Sequence, residues 1–333
     1  MRYIVDISPD IMDFINTLIQ KGEYRNVQEF INTSIQNQIY IIEHASTTTL
    51  APEPSRASTS DSKRESTSKS EGLLDLKDYD VNVTDDFVGK TNNQFSGFWN
   101  KFLPIKITLR VLANMQQDAN APILLDLLHE QASIEARKLG QVLIRKEKGS
   151  GRKRGDRLFT GLPVKRNSDK SRLRFKSHFI GSLSKDKVDG MPGTLRLLLI
   201  SKGDDGKDYI TITKKGLEFS RLKNSIIDNF DYTSTLSGEE VSFLLDEIEE
   251  GLPDEFNEMK VVLNLINERK TDAKAITADL LELKPELSKN KLTVFLSGML
   301  NRLNDLKLVK RKFYGSSFIY EVSEKGKQII KGV

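Results

Sequence analysis

The chain reads as mainly α with small β-hairpins, an α+β protein assembled from several small domains. Three observations predict this. The first is a near-repeat between Tyr209-Ile210-Thr211-Ile212-Thr213-Lys214-Lys215-Gly216 and Tyr320-Glu321-Val322-Ser323-Glu324-Lys325-Gly326. Each copy is a short strand, a hydroxyl residue, a charged pair with Lys second, and a Gly opening a final helix. Repeats outrank local signals when a fold is assigned. The second is composition: 38% hydrophobic and 29% charged residues over 333 positions suit several small cores better than one large one. The third is the stretch Ser46–Ser70, in which 13 of 25 residues are Ser or Thr. It cannot offset the entropy of folding and separates the first 44 residues from the rest as a disordered linker, residues 45–72.

Tyr3, Val5 and Ile7 alternate with Arg2, Ile4 and Asp6 and predict a strand. Ser8 caps a helix, Pro9 suits its first position, and Asp10 favours the positive end of the dipole. Ile11, Phe14, Ile15, Leu18 and Ile19 form its apolar stripe, and Gly22 ends it. Asn26 and Glu29 form a capping box for a second helix, striped by Phe30, Ile31, Ile35, Ile39 and Ile42. This order, with Gly22 to Ile31 as the turn, resembles the ribbon-helix-helix family of antitoxins and repressors. The resemblance covers residues 1–44 and implies a homodimer, because so small a unit cannot bury a core alone. It further implies that Arg2, Ile4 and Asp6 of the ribbon face the major groove. Asp6 is repelled there by phosphate unless it accepts from a cytosine amino group. Arg25 and Asn26, at the amide end of the second helix, suit a phosphate. The unit serves equally well as a dimerising element alone.

Residues 73–94 are acidic through Asp75, Asp78, Asp80, Asp85 and Asp86, and are expected to fold back on a basic face. Phe95, Phe98, Trp99 and Phe102 follow at helical spacing. Core packing, rather than base stacking, is their expected use. Pro104 opens a helix striped by Ile105, Leu109 and Leu112, and Pro122 opens another through Leu128. Ser133 is expected to cap a third, with Ala136, Leu139, Leu143 and Ile144 inside and Arg137, Lys138, Gln141 and Arg145 outside. A basic run follows, with Lys148, Arg152, Lys153, Arg154 and Arg157 around Gly149-Ser150-Gly151. It lacks the Gly-Lys-Ser/Thr ending and the preceding strand of a nucleotide-binding loop. It suits a flexible arm across a DNA backbone or minor groove. Leu173–Phe175 and Phe179–Ile180 read as strands in a long insertion, before a hairpin of Arg196–Ile200 and Tyr209–Thr213 turning at Gly203-Asp204-Asp205-Gly206.

Ser237 and Glu240 form a capping box for an acidic connector helix. Helices over Phe256–Arg269, Ala275–Leu281 and Ser288–Leu306 are followed by a hairpin of Leu308–Lys312 and Phe318–Val322. The last helix exposes Lys289, Thr293, Ser297 and Asn301, with Lys291 and Arg302 beside them, and the hairpin carries Lys310, Arg311 and Lys312. Helices, hairpin and closing helix in this order resemble the winged helix-turn-helix of transcription regulators, here twice, over residues 95–230 and 231–333. In such a module the third helix enters the major groove, where Arg reads guanine and Gln reads adenine. The resemblance implies base reading by Arg137, Gln141 and Arg145, then by Thr293, Ser297 and Asn301, with the lysines on phosphates. The second module equally suits a protein partner.

Charge agrees with a polyanionic partner. Between Arg137 and Lys176 fifteen cations face three carboxylates, although the whole chain is only +4. With no cysteine, disulfides and thiolate metal sites are excluded. His44, His129 and His178 lack ligand spacing, and no hydrolase elbow, metal helix or dinucleotide loop is present. The expectation is no enzyme, no cofactor and no metal. It is also no membrane span or signal peptide, hence a cytoplasmic, nucleoid-associated location. The function read from the sequence is a dimeric, sequence-specific binder of double-stranded DNA that regulates transcription. A DNA-bridging or plasmid-partition protein and an antitoxin-like binder of a protein toxin are the alternatives.

Overall fold

The computed structural model describes residues 9–20, 26–27, 72–78, 80–81, 83, 90–153, 156–164, 169–268, 272–285, 288–314 and 317–332. It forms two compact units, residues 1–71 and 72–333. The fold is mainly helical, with small antiparallel sheets. In the first unit helix α1 spans Pro9–Gln20, starting at the predicted proline, and buries Ile15 to 1% exposure. The predicted strand, second helix and Ser/Thr linker lie outside the described residues.

The larger unit is built around α2 (Leu103–Ala119), which is buried on every side except its last turn. Its sequence predicts one apolar stripe. The structure also buries Lys106, Arg110 and Asn114, spaced four apart and so stacked on one face. Each is satisfied at long range. Lys106 Nζ lies 3.1 Å from Glu240 and donates to the carbonyls of Phe219 and Leu222. Arg110 grips Asp228 through both terminal nitrogens, each at 2.5 Å, and donates to the carbonyls of Ser220, Leu222 and Leu74. Asn114 donates to the carbonyl of Leu73 at 3.0 Å. The carbonyls of Leu73 and Leu74, at the start of the acidic segment, thus reach this buried polar face.

After the short strand β1 (Ile123–Leu124), α3 runs unbroken over Leu125–Lys146. The predicted break at Ser133 is corrected. Leu-His-Glu-Gln-Ala ahead of it contains no breaker, and Ser133 is buried within the helix, bonding back to the carbonyl of His129 at 2.6 Å. Residues 169–179, read partly as strand, form α4 (Asp169–Phe179) instead, because Phe175 and Phe179 recur at helical spacing and are both buried. A small hairpin, β2 (Ser182–Ser184) and β3 (Lys187–Asp189), turns through Lys185 and Asp186, both with positive φ. The turn α5 (Met191–Thr194) leads to β4 (Leu198–Lys202) and β5 (Asp208–Ile212), which pair antiparallel, and β1 adds to β5 in the order β1-β5-β4. Helix α6 (Lys214–Arg221) closes this half.

Helix α7 (Gly238–Gly251) starts with the predicted capping box: Ser237 Oγ accepts from Glu240 N at 3.1 Å, and the Glu240 carboxylate accepts from Ser237 N at 2.8 Å. The second half follows as α8 (Pro253–Asn267), α9 (Ala273–Leu283), α10 (Lys289–Asp305), the hairpin β6 (Val309–Tyr314) and β7 (Ser317–Val322), and α11 (Glu324–Lys331). Asp272, just before α9, bridges to Ile319 of β7.

The near-repeat is atomic. Thr213 Oγ1 accepts from Gly216 N at 3.1 Å, and Ser323 Oγ accepts from Gly326 N at 3.1 Å. Each hydroxyl donates to the carbonyl of a residue with positive φ, Arg196 or Lys307. Each glycine lies where a Cβ would meet the next carbonyl, 1.8 Å from Leu197 O and 2.3 Å from Leu308 O.

Residues 95–102 are irregular rather than helical, and bind the second half before entering α2. Phe95, Trp99 and Phe102 pack edge to face, whereas Phe98 stays 63% exposed. Arg302, expected on the exposed side of α10, is wholly buried. It pairs with Glu255 at 2.6 Å and donates to the carbonyl of Trp99 at 2.6 Å. Asp305 takes Lys101 at 3.0 Å, the amide of Phe102 at 3.0 Å and the hydroxyl of Thr235 at 2.6 Å.

Candidate nucleic-acid interface

The candidate residues fall into free and occupied groups. On α3, Lys138, Gln141 and Arg145 are exposed and Arg137 is half-buried, all on one helical side. Lys138 shares its charge with Glu135 at 2.7 Å. Lys148 is exposed just beyond the helix.

Within the basic run after α3, expected as a flexible arm, Arg152 is held by internal partners. Glu147 accepts from Leu158 N at 2.9 Å and lies 3.6 Å from Arg152. Arg152 donates to the carbonyls of Tyr232 at 2.7 Å and Thr233 at 3.2 Å. Arg311 of β6 pairs with Asp156 and donates to Asn301 Oδ1 at 3.0 Å, leaving its side chain 3% exposed. Lys153 lies over the Phe313 ring at 4.6 Å. Arg152 and Arg311 are therefore structural cations whose donors are engaged internally. Lys153 and Arg157 keep their exposure, and with Arg145 and Lys148 line a recess of ≈ 570 Å³. Arg154 lies outside the described residues, as do Arg2, Ile4, Asp6 and Arg25, while Asn26 is exposed at a bend.

Helix α4 carries a set that sequence reasoning missed. Lys170, Leu173, Arg174 and Ser177 are exposed at positions i, i+3, i+4 and i+7, opposite Phe175 and Phe179. Arg172 pairs with Glu130 at 3.2 Å. Burial, then the neighbouring Arg172, lowers the Lys176 ammonium from its ordinary range. The signal was present as two phenylalanines four apart under a basic face.

On α10, Lys289, Thr293 and Ser297 are exposed. Asn301 is half-buried, its oxygen held by Arg311 and its amide bonded back to Ser297 O at 2.7 Å. Lys310 and Lys312 of β6 are exposed, and Lys312 pairs with Glu321 at 2.8 Å.

A separate polar recess of ≈ 780 Å³ is lined by Asn92, Gln94, Trp99, Ser177, His178 and Asp189 among others. Burial lowers the His178 imidazole. Among the described residues no cluster of three or more His, Asp or Glu could hold a metal, and no helix is long and apolar enough to cross a membrane. Comparison with protein-family models, with curated proteins and with solved structures finds no match.

Proposed function

We propose that the chain is a binder of double-stranded DNA with two winged helix-turn-helix halves, dimeric through its N-terminal unit, acting as a transcriptional regulator. The observation that carries this reading is the concentration of exposed cations in the first half: Lys138, Arg145, Lys148, Arg157, Lys170 and Arg174 within a window of fifteen cations and three carboxylates. A surface of this sign and density suits the phosphate backbone, which dominates affinity for DNA.

The topology supports the winged reading. Helix, short extended segment, helix, helix and hairpin follow one another in both halves, and in each the segment after the first helix pairs with the second hairpin strand. By that order the groove helix is the one just ahead of the main hairpin: α4 in the first half, where β2, β3 and α5 intervene, and α10 in the second. The base-reading set therefore moves to Lys170, Arg174 and Ser177, with Arg137, Gln141 and Arg145 flanking on the backbone. Two such helices in one chain, doubled in a dimer, also favour a DNA-bridging role as the second reading. A salt series of full-length protein on duplex DNA tests the proposal. A steep fall of log K with log salt is expected, and a flat response removes it. Looped or paired complexes in single-molecule imaging would favour bridging over regulation.

A further inference from the structure

The two main hairpins hold equivalent places in their halves, yet their tips carry different chemistry. The first turns through Gly203-Asp204-Asp205-Gly206. There Asp205 accepts from Lys207 N at 3.0 Å and from the Tyr209 hydroxyl at 3.2 Å and pairs with Lys207 Nζ at 3.3 Å, a self-paired turn with no exposed large ring. The second runs to its tip through Lys310, Arg311, Lys312, Phe313 and Tyr314, paired in register from Val309↔Val322 to Tyr314↔Ser317.

Strand alternation sorts these side chains. Val309, Arg311 and Phe313 share the face toward Asp156 and Lys153, where they are engaged. Lys310, Lys312 and Tyr314 share the other. Tyr314 is 77% exposed, the most of any large apolar side chain described, and Phe313 at the same tip is 45% exposed. So exposed a ring contributes little to the core. It stands in line with two exposed ammonium groups, roughly 7 Å apart along the strand. The pair of Lys312 with Glu321 is itself exposed and gives way readily to a phosphate.

We propose that this hairpin is a stacking platform for an unpaired base. The Tyr314 ring takes the face of the base, and Lys310 and Lys312 hold the adjoining phosphates. Base–aromatic stacking is tolerant of sequence because every base has a π-face. A closed duplex keeps its bases stacked on each other, so the platform favours DNA with a locally melted, mismatched or single-stranded segment. The phenolic hydroxyl favours stacking with one edge in water over wedging into an intact step, the role of purely apolar side chains. This inference rests on the proposed DNA-binding reading and adds the form of DNA preferred.

The experiment compares full-length protein on a fully paired duplex and on the same duplex with a short unpaired bubble, by fluorescence anisotropy, with 2-aminopurine in the bubble reporting stacking. Wild type is expected to prefer the bubble. Tyr314→Ala should weaken bubble binding about tenfold and leave duplex binding unchanged. Tyr314→Trp should keep the preference, and Lys310→Ala should weaken both. Equal wild-type affinity for the two DNAs overturns the inference and leaves the DNA-binding reading standing. So does a bubble preference that survives Tyr314→Ala, an outcome that would place the contact with unpaired bases elsewhere on the chain. No binding to either DNA removes both.

Discussion

The two halves of residues 72–333 share a scaffold and divide its surfaces differently. In the first, cations crowd the helices and the pinned loop, while the main hairpin is acidic at its turn. In the second, α10 exposes Lys289, Asn290, Lys291, Thr293 and Ser297, and the hairpin adds Lys310, Lys312 and the exposed ring of Tyr314. Both copies keep the closing hydroxyl–glycine cap and with it the fold, while their outward positions differ. The shared turn follows from the caps, and the surface chemistry from residues the caps do not touch.

The largest expected effect tests whether the halves are one folding unit. Arg302→Ala leaves Glu255 buried without its cation, and should cost about 3–5 kcal/mol in urea unfolding. If only a second-half signal shifts while α2 stays protected from hydrogen exchange, the halves are energetically separate. Next, the repeated glycines measure how alike the copies are. Gly216→Ala and Gly326→Ala each force a methyl against a carbonyl, at about 1–3 kcal/mol, with Gly216→Ala the worse because its gap is 1.8 Å against 2.3 Å. Equal or reversed losses would show that the two turns relax differently.

The division of binding chemistry gives a smaller, sharper test. Replacing Lys170 and Arg174 by Ala should lower the salt slope by about 0.9 for each phosphate that the variant no longer neutralises. Replacing Lys289 should change it less. The reverse ranking would make α10 the main DNA-facing helix. The smallest effect is on pH. Burial lowers the imidazole of His129 from its ordinary 6.5, so the unfolded chain takes up the proton first as pH falls. Stability contributed by neutral His129 is present above 6.5 and is lost on acidification below it. His129→Gln should flatten the urea midpoint between pH 7 and pH 5.5, and an unaltered pH response would discount this residue.

Much of this was legible because it is local. Pro9, Ser237, Ser288 and the repeated caps announce themselves within four residues. Ser133 misled because a hydroxyl in mid-helix resembles a cap until the helix-forming residues before it are weighed. Helix α4 was obscured by Leu173 and Phe175, whose alternation imitates a strand over three positions. Arg152 and Arg311 could not be told from free cations, since Tyr232 and Asp156 come close only in the folded chain. The polar face of α2 was hidden for the same reason. Nothing near Lys106 in sequence foretells Phe219 or Glu240.

That buried face also sets a timetable for synthesis. When α2 leaves the ribosome, the acceptors of Lys106 and Arg110 on residues 219–240 have not been made. At cellular elongation rates they follow roughly ten seconds later. Through that interval the chain must hold two unmatched charges in water, so α2 cannot enter the core until α7 has begun. Nascent chains halted near residue 200 should therefore leave α2 open to protease, and chains halted well beyond residue 240 should protect it. Early protection would mean that α2 finds temporary partners of its own.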